Sequence, residues 1–99
     1  MVNIRYVTTE EEKQKVLSAY FKEGLEGQLD TFPSKEKRKL IVLQYIIGRF
    51  ELGRIYSERE INEVLKIIYG DFATIRRALI VYGFMNRSKD CSEYWIKED

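Results

Sequence analysis

A mainly α-helical domain with a small β-hairpin is the fold class this sequence predicts, and three observations predict it. Two helix-opening signals, Ser57 with Glu60 and then Asp71, follow one another closely, with the β-like stretch Arg54-Ile55-Tyr56 before them. Gly83 closes the second helix. The aromatic and branched residues of Phe84-Met85-Asn86-Arg87 and Glu93-Tyr94-Trp95-Ile96 then read as two strands around a loop of hairpin length. Strand, helix, tight turn, helix and hairpin is the running order of a winged helix-turn-helix. The expected architecture is therefore winged helix-turn-helix-like, preceded by an extra N-terminal helix. Residues 1–31 are expected to form a strand-and-helix extension packing on the core, and residues 32–99 the winged-helix-like domain.

Composition sets the outer limits. A chain of 99 residues carries one core but not a core plus a separate catalytic module. With 44% hydrophobic and 33% charged residues and a single proline, it should fold. No apolar run approaches the roughly 18 residues that span a bilayer, and Glu10-Glu11-Glu12 is unlike a signal peptide, so a cytoplasmic protein without a membrane partner is expected. One cysteine, Cys91, forms no internal disulfide, and the absence of histidine leaves no credible zinc ligand set. Cys91 reads as a tolerated turn residue. No metal and no cofactor are expected.

In chain order, Val2-Asn3-Ile4-Arg5-Tyr6 alternates with period two and suits a short edge strand. Thr9 with Glu12 forms a capping box, and the helix it opens should run to Glu23, with Val16, Leu17, Tyr20 and Phe21 on one stripe and Gly24 as the stop. Gly27 and Pro33 bracket a connector. The next helix should span residues 34–51. Leu40, Leu43, Ile47 and Phe50 make its core stripe, but Ile41, Val42, Tyr45 and Ile46 carry apolar surface around most of the cylinder. Such a helix must be covered on more than one side, in part by the N-terminal helix and in part by a second copy of the chain; Ile41, Val42, Tyr45 and Ile46 are the expected dimer surface. Lys35, Lys37, Arg38 and Lys39 crowd its first turns, where each cation costs about 0.3 to 1 kcal/mol against the macrodipole. They read either as solvated residues shielding an apolar helix or as an anion site.

After Ser57, Ile61, Val64, Leu65 and Ile68 face the core, and Glu58, Arg59, Asn62, Glu63 and Lys66 face water. After Asp71, counting about 100° per residue from Phe72, Ile75, Leu79 and Tyr82 form the buried stripe, while Thr74, Arg77, Ala78 and Val81 point outward. On a winged helix that outer face enters the major groove, where arginine pairs with guanine and small apolar groups meet a thymine methyl. Arg77 is the first candidate contact. Arg76, at the edge of the buried stripe, is expected in a structural ion pair with a helix carboxylate such as Glu60 or Glu63. In the hairpin, Arg87 and Lys89 are candidates for the phosphate backbone, and Tyr94 and Trp95 are read as core cover. The candidate DNA-binding set is thus Thr74, Arg77, Val81, Arg87, Lys89, Lys35 and Lys37.

Charge supports this weakly. Residues 1–31 carry four basic and six acidic groups, a net of −2, and residues 32–99 carry thirteen and ten, a net of +3. Such a balance is compatible with nucleic acid without pointing to it.

The runs Gly27-Gln-Leu-Asp-Thr-Phe-Pro-Ser-Lys-Glu-Lys-Arg-Lys-Leu, Arg49-Phe-Glu-Leu-Gly-Arg-Ile-Tyr-Ser-Glu-Arg-Glu-Ile-Asn-Glu-Val-Leu, Asp71-Phe-Ala-Thr-Ile-Arg-Arg-Ala-Leu-Ile and Gly83-Phe-Met-Asn-Arg, with Glu93-Tyr-Trp, closely resemble one uncharacterised bacterial domain family. That family is found alone or fused behind winged-helix regulators, including those of the ArsR type. The resemblance covers about residues 27–96 and implies a fold and a regulatory setting, but no activity and no functional residue. Two departures stand out. The helix after Tyr56 ends Ile68-Tyr69-Gly70 where relatives often carry histidine or phenylalanine, and the hairpin tip reads Lys89-Asp90-Cys91 where an Asp-Gly turn is usual.

Three functions follow as expectations. The first is a DNA-binding transcriptional regulator on double-stranded DNA, acting as a homodimer. Against it stand Glu58, Glu60 and Glu63, which ordinary docking would bring near phosphates. The second is a non-catalytic effector or protein-interaction module with a regulatory protein partner. The third, an enzyme, is not expected: the sequence offers no nucleophile with a nearby base, no phosphate loop and no metal set, and so no catalytic residue.

Overall fold

A computed structural model describes residues 9–24 and 27–98. Four helices and a small antiparallel sheet follow one another as α1 (Glu10–Tyr20), α2 (Glu36–Ile47), β1 (Tyr56–Ser57), α3 (Glu58–Ile68), α4 (Phe72–Val81), β2 (Met85–Arg87) and β3 (Glu93–Ile96). The sheet order is β1-β3-β2, so the hairpin's second strand is central and the short strand before α3 closes its other edge. Tyr56 pairs with Tyr94, and Tyr94 with Arg87. The strand expected over residues 2–6 lies outside the described residues.

Local chemistry sets the helix starts. Thr9 and Glu12 complete a reciprocal capping box on α1, and Ser57 and Glu60 do the same on α3, each pair satisfying amides that a helix start leaves unbonded. Asp71 caps α4 by accepting from the Thr74 amide. Helix α2 starts later and stops earlier than expected, with no side-chain cap at Lys35 and a tightening from Gly48 onward into i→i−3 hydrogen bonds. Residues 48–50 continue as hydrogen-bonded turns, with the Phe50 amide donating to the Ile47 carbonyl. Gly53 and Gly83 take φ of +81° and +80°, which any residue with a Cβ adopts at a cost. Cys91, directly after Asp90, takes φ +63°, a left-handed backbone that a residue with a Cβ adopts at a cost.

One core joins all four helices and the sheet. Val42, Leu43, Ile46, Ile61, Leu65, Ile75, Leu79 and Met85 have no exposed surface, and Leu17 and Phe21 of α1 belong to the same cluster. The connector after α1 is threaded into it: the Leu29 amide donates to the Ile68 carbonyl at 2.7 Å, the Asp30 amide to the Tyr20 carbonyl at 2.8 Å, and Leu29 and Pro33 are buried.

The apolar girdle of α2 is consumed inside the single chain, which corrects the surface expected for a second copy. Ile41, Val42 and Ile46 are buried, and half-buried Tyr45 meets Phe21 edge-on, ring centroids 5.3 Å apart, beneath the Arg49 guanidinium. The reason is that α1 covers the flank that the sequence left open. A second correction concerns Ala78, placed outward by its angle on the helix but buried, since α2 packs against α4. A third concerns Trp95. It is half-buried and outside the core cluster, on the sheet face opposite buried Tyr94, as strand alternation requires.

Truncating Leu43 to alanine, at the centre of this cluster, should lower unfolding free energy by about 2 to 5 kcal/mol in urea titration. Truncating Val81, which is 78% exposed, should stay within about 0.5 kcal/mol of the parent. Equal losses would contradict the burial pattern.

Candidate nucleic-acid interface

Helix α4 and the hairpin carry five of the seven candidate contacts. On α4, Arg77 is exposed and makes no ion pair with another described residue, and Val81 one turn on is the most exposed large apolar side chain described. Thr74 behaves differently. Its hydroxyl donates to Asp71 Oδ2 at 2.7 Å, which ties it into the cap rather than leaving it for a ligand.

The hairpin is held by side chains. The Asp90 carboxylate accepts from the Ser88 and Ser92 hydroxyls at 2.8 and 2.7 Å and from the Ser92 amide at 3.1 Å. Hydrogen bonds to the charged form, first from Ser92 and then from Ser88, hold the Asp90 carboxyl at about 2, below its ordinary 3.8. Arg87 folds back over this loop, donating to the Ser88 carbonyl at 3.2 Å and to Cys91 Sγ at 3.1 Å. Lys89 at the tip is exposed and makes no ion pair with another described residue.

The two remaining candidates lie elsewhere. Lys35 and Lys37 line a pocket between α1 and the first turn of α2, none of whose walls comes from α4 or the hairpin. Lys37 is already engaged: its Nζ lies 2.7 Å from Glu12 Oε2, which together with the α1 cap holds the Glu12 carboxyl below the usual range.

The acidic helix preceding α4 proves to be compensated. Glu58 meets Arg76 at 3.6 Å, Glu60 meets Arg54 at 3.0 Å and Glu63 meets Arg59 at 3.3 Å. Arg76 pairs with an α3 carboxylate, as expected from its angle; the carboxylate is Glu58 rather than the named Glu60 or Glu63, and the Asn62 side-chain oxygen also accepts from it. Sequence reasoning passed over Arg54. Its guanidinium stacks 4.5 Å over the Tyr56 ring while pairing with Glu60, and the Tyr56 hydroxyl accepts from the Glu51 amide at 2.7 Å. The Glu60 carboxyl is lowered accordingly, by the Ser57 amide first and Arg54 second.

Among the described residues no group of histidine, cysteine, aspartate and glutamate is placed to hold a metal, and no helix is long and apolar enough to cross a membrane. The arrangement is that of a small helix-and-sheet domain with an open helix face beside a tied hairpin. The chain belongs to the family described as "uncharacterized protein conserved in bacteria" (DUF2087), whose model matches residues 28–96. No curated protein and no solved structure matches it. The matched span begins after α1, so the pocket between α1 and α2 is built partly from residues outside it.

Because the folded Asp90 value lies below the unfolded one, the hairpin contribution of this carboxylate is present above about pH 3.8 and is lost as pH falls toward about 2. Carboxyl chemical shifts followed by NMR should place the Asp90 midpoint near 2, and Ser92→Ala should move it upward. A parent midpoint at the ordinary value would show that the serine cradle does not hold in solution.

Proposed function

We propose that the chain is a DNA-binding transcriptional regulator whose residues 32–99 act as a winged helix, with α4 in the major groove and the β2–β3 hairpin along the backbone. The observation that carries this reading is the outer face of α4, where exposed Arg77, without an ion pair to another described residue, stands one helical turn from exposed Val81. Two further features support it. The order α2, β1, α3, α4, β2, β3 with a β1-β3-β2 sheet agrees with a winged-helix plan. The α3 carboxylates, each paired with an arginine, oppose phosphate less than their number suggests.

On this reading Arg77 is the base or phosphate contact, Val81 the apolar contact, and Lys89 a backbone contact. Arg87 joins by leaving its loop acceptors for a phosphate, a charge-assisted exchange. The resemblance to domains found behind winged-helix regulators supplies the regulatory setting. A homodimer placing two α4 helices about one DNA turn apart suits an operator with two half-sites, through a surface other than Ile41, Val42 and Ile46.

A second reading, a non-catalytic module that docks a regulatory protein, is favoured by Leu52, Ile55 and Ile67, which are 65%, 58% and 63% exposed.

Anisotropy titration with mixed-sequence duplexes should show binding whose logarithm falls linearly with log salt. Arg77→Ala should weaken it by about 1 to 3 kcal/mol with no change in melting temperature. Ile67→Glu should leave duplex affinity unchanged. Absence of binding at low salt would remove the DNA reading and leave the docking module.

A further inference from the structure

The pocket between α1 and α2 has a cavity volume of about 420 Å³ and a strongly one-sided charge. Its base is apolar, formed by half-buried Val16 and buried Ile41. Its rim carries Lys15 from α1 and Lys35 and Arg38 from the start of α2, all exposed, and none makes an ion pair with another described residue. The one carboxylate in the lining, Glu12, is already committed: one oxygen accepts from Lys37 at 2.7 Å and the other from the Thr9 amide at 3.4 Å. That ion pair spans the start of α1 and the first turn of α2, and the packing of α1 on α2 sets the wall bearing Lys15 against the wall bearing Lys35 and Arg38.

Three cations that make no ion pair with another described residue face one concavity and repel one another there. A multivalent anion relieves that repulsion, and a concave site with an apolar base and a few convergent charged groups is the usual form of a small-ligand pocket. We propose that this pocket binds a small polyphosphate, a free molecule carrying two or more linked phosphates. Three cations delivered from two helices match a chain of phosphates better than one tetrahedral anion, because a single phosphate can touch only part of the rim. A concave surface lined by no residue of α4 or the hairpin suits a small free ligand better than a duplex. The site neither requires nor restates the DNA reading. Bound there, the ligand neutralises the rim and clamps α1 to α2, which stabilises the folded chain by linkage.

The test uses the full chain with sodium tripolyphosphate as probe, in calorimetric titration and in thermal unfolding at constant ionic strength. Tripolyphosphate should bind saturably and raise the melting temperature, and orthophosphate and sulfate should bind at least about tenfold more weakly. The exposed pair Lys35→Gln/Arg38→Gln should abolish binding while keeping the parent circular dichroism. Lys15→Gln, on the other helix, should weaken binding by itself, and Lys66→Gln on α3 should not. Equal binding of sulfate, or equal loss with Lys66→Gln, would mean simple charge screening and overturn the proposal. Loss of duplex binding in the Lys35/Arg38 variant without any tripolyphosphate binding would assign these cations to a DNA backbone, and would overturn it as well.

Discussion

Helix α2 confines its polar residues to its first turn and Gln44, so the rest of its cylinder must be covered, and that constraint orders the rest of the domain. Of its twelve residues only Arg38 is exposed, and Leu40 through Leu43 are buried in succession. A helix of this kind is stable only when roofed on more than one side. Helix α1 covers one flank through Leu17 and Phe21, and α4 packs on another. The described residues ahead of the family-matched segment, 9–24, therefore add to the same core through Leu17 and Phe21. Without α1, Tyr45 would lose the Phe21 ring and the girdle around Ile41 would meet water.

Once α2 is central, the polar residues around it act as braces. Arg54 links the loop after α2 to the start of α3, reaching Glu60 while lying over Tyr56. Arg76 ties α4 to α3 through Asn62 and Glu58. The more exposed of these pairs contribute little each, because water competes for both partners. Arg76 is the most protected of the paired arginine side chains described, at 19% exposure, and has the strongest structural claim. Its neighbour Arg77 is left without such a bond. The doubled arginine thus divides into one residue that holds the fold and one that is free to meet a ligand.

Much of the fold was legible because it was locally encoded. The capping boxes at Thr9 and Ser57, the cap at Asp71 and the stop at Gly83 are short-range chemistry, and the starts of α1, α3 and α4 followed from their own few residues, whereas uncapped α2 began later than its sequence suggested. What depended on tertiary contact was less legible. The covering of Ile41, Val42 and Ile46 depends on where α1 docks, and the burial of Ala78 on where α2 lies, neither of which helical period encodes. The candidate site divides in the same way. Exposure of Arg77 and Val81 followed from angle on the helix, whereas the loss of Thr74 to its cap and of Lys37 to Glu12 depended on partners that spacing leaves open.

With a net charge of +1, any affinity of this chain for phosphate must come from placement rather than total charge. Pairing decides the placement. The α3 carboxylates take up Arg54, Arg59 and Arg76, and Glu12 takes up Lys37; among the cations without an ion pair to another described residue, Arg77 and Lys89 stand in one region and Lys15, Lys35 and Arg38 in another. The first group stands on an outward helix face and a hairpin tip, shapes that an extended duplex can reach. The second rings a concavity that admits a small anion. On the two proposed readings both groups attract phosphate, and the curvature of the surface beneath them separates the ligands each would take.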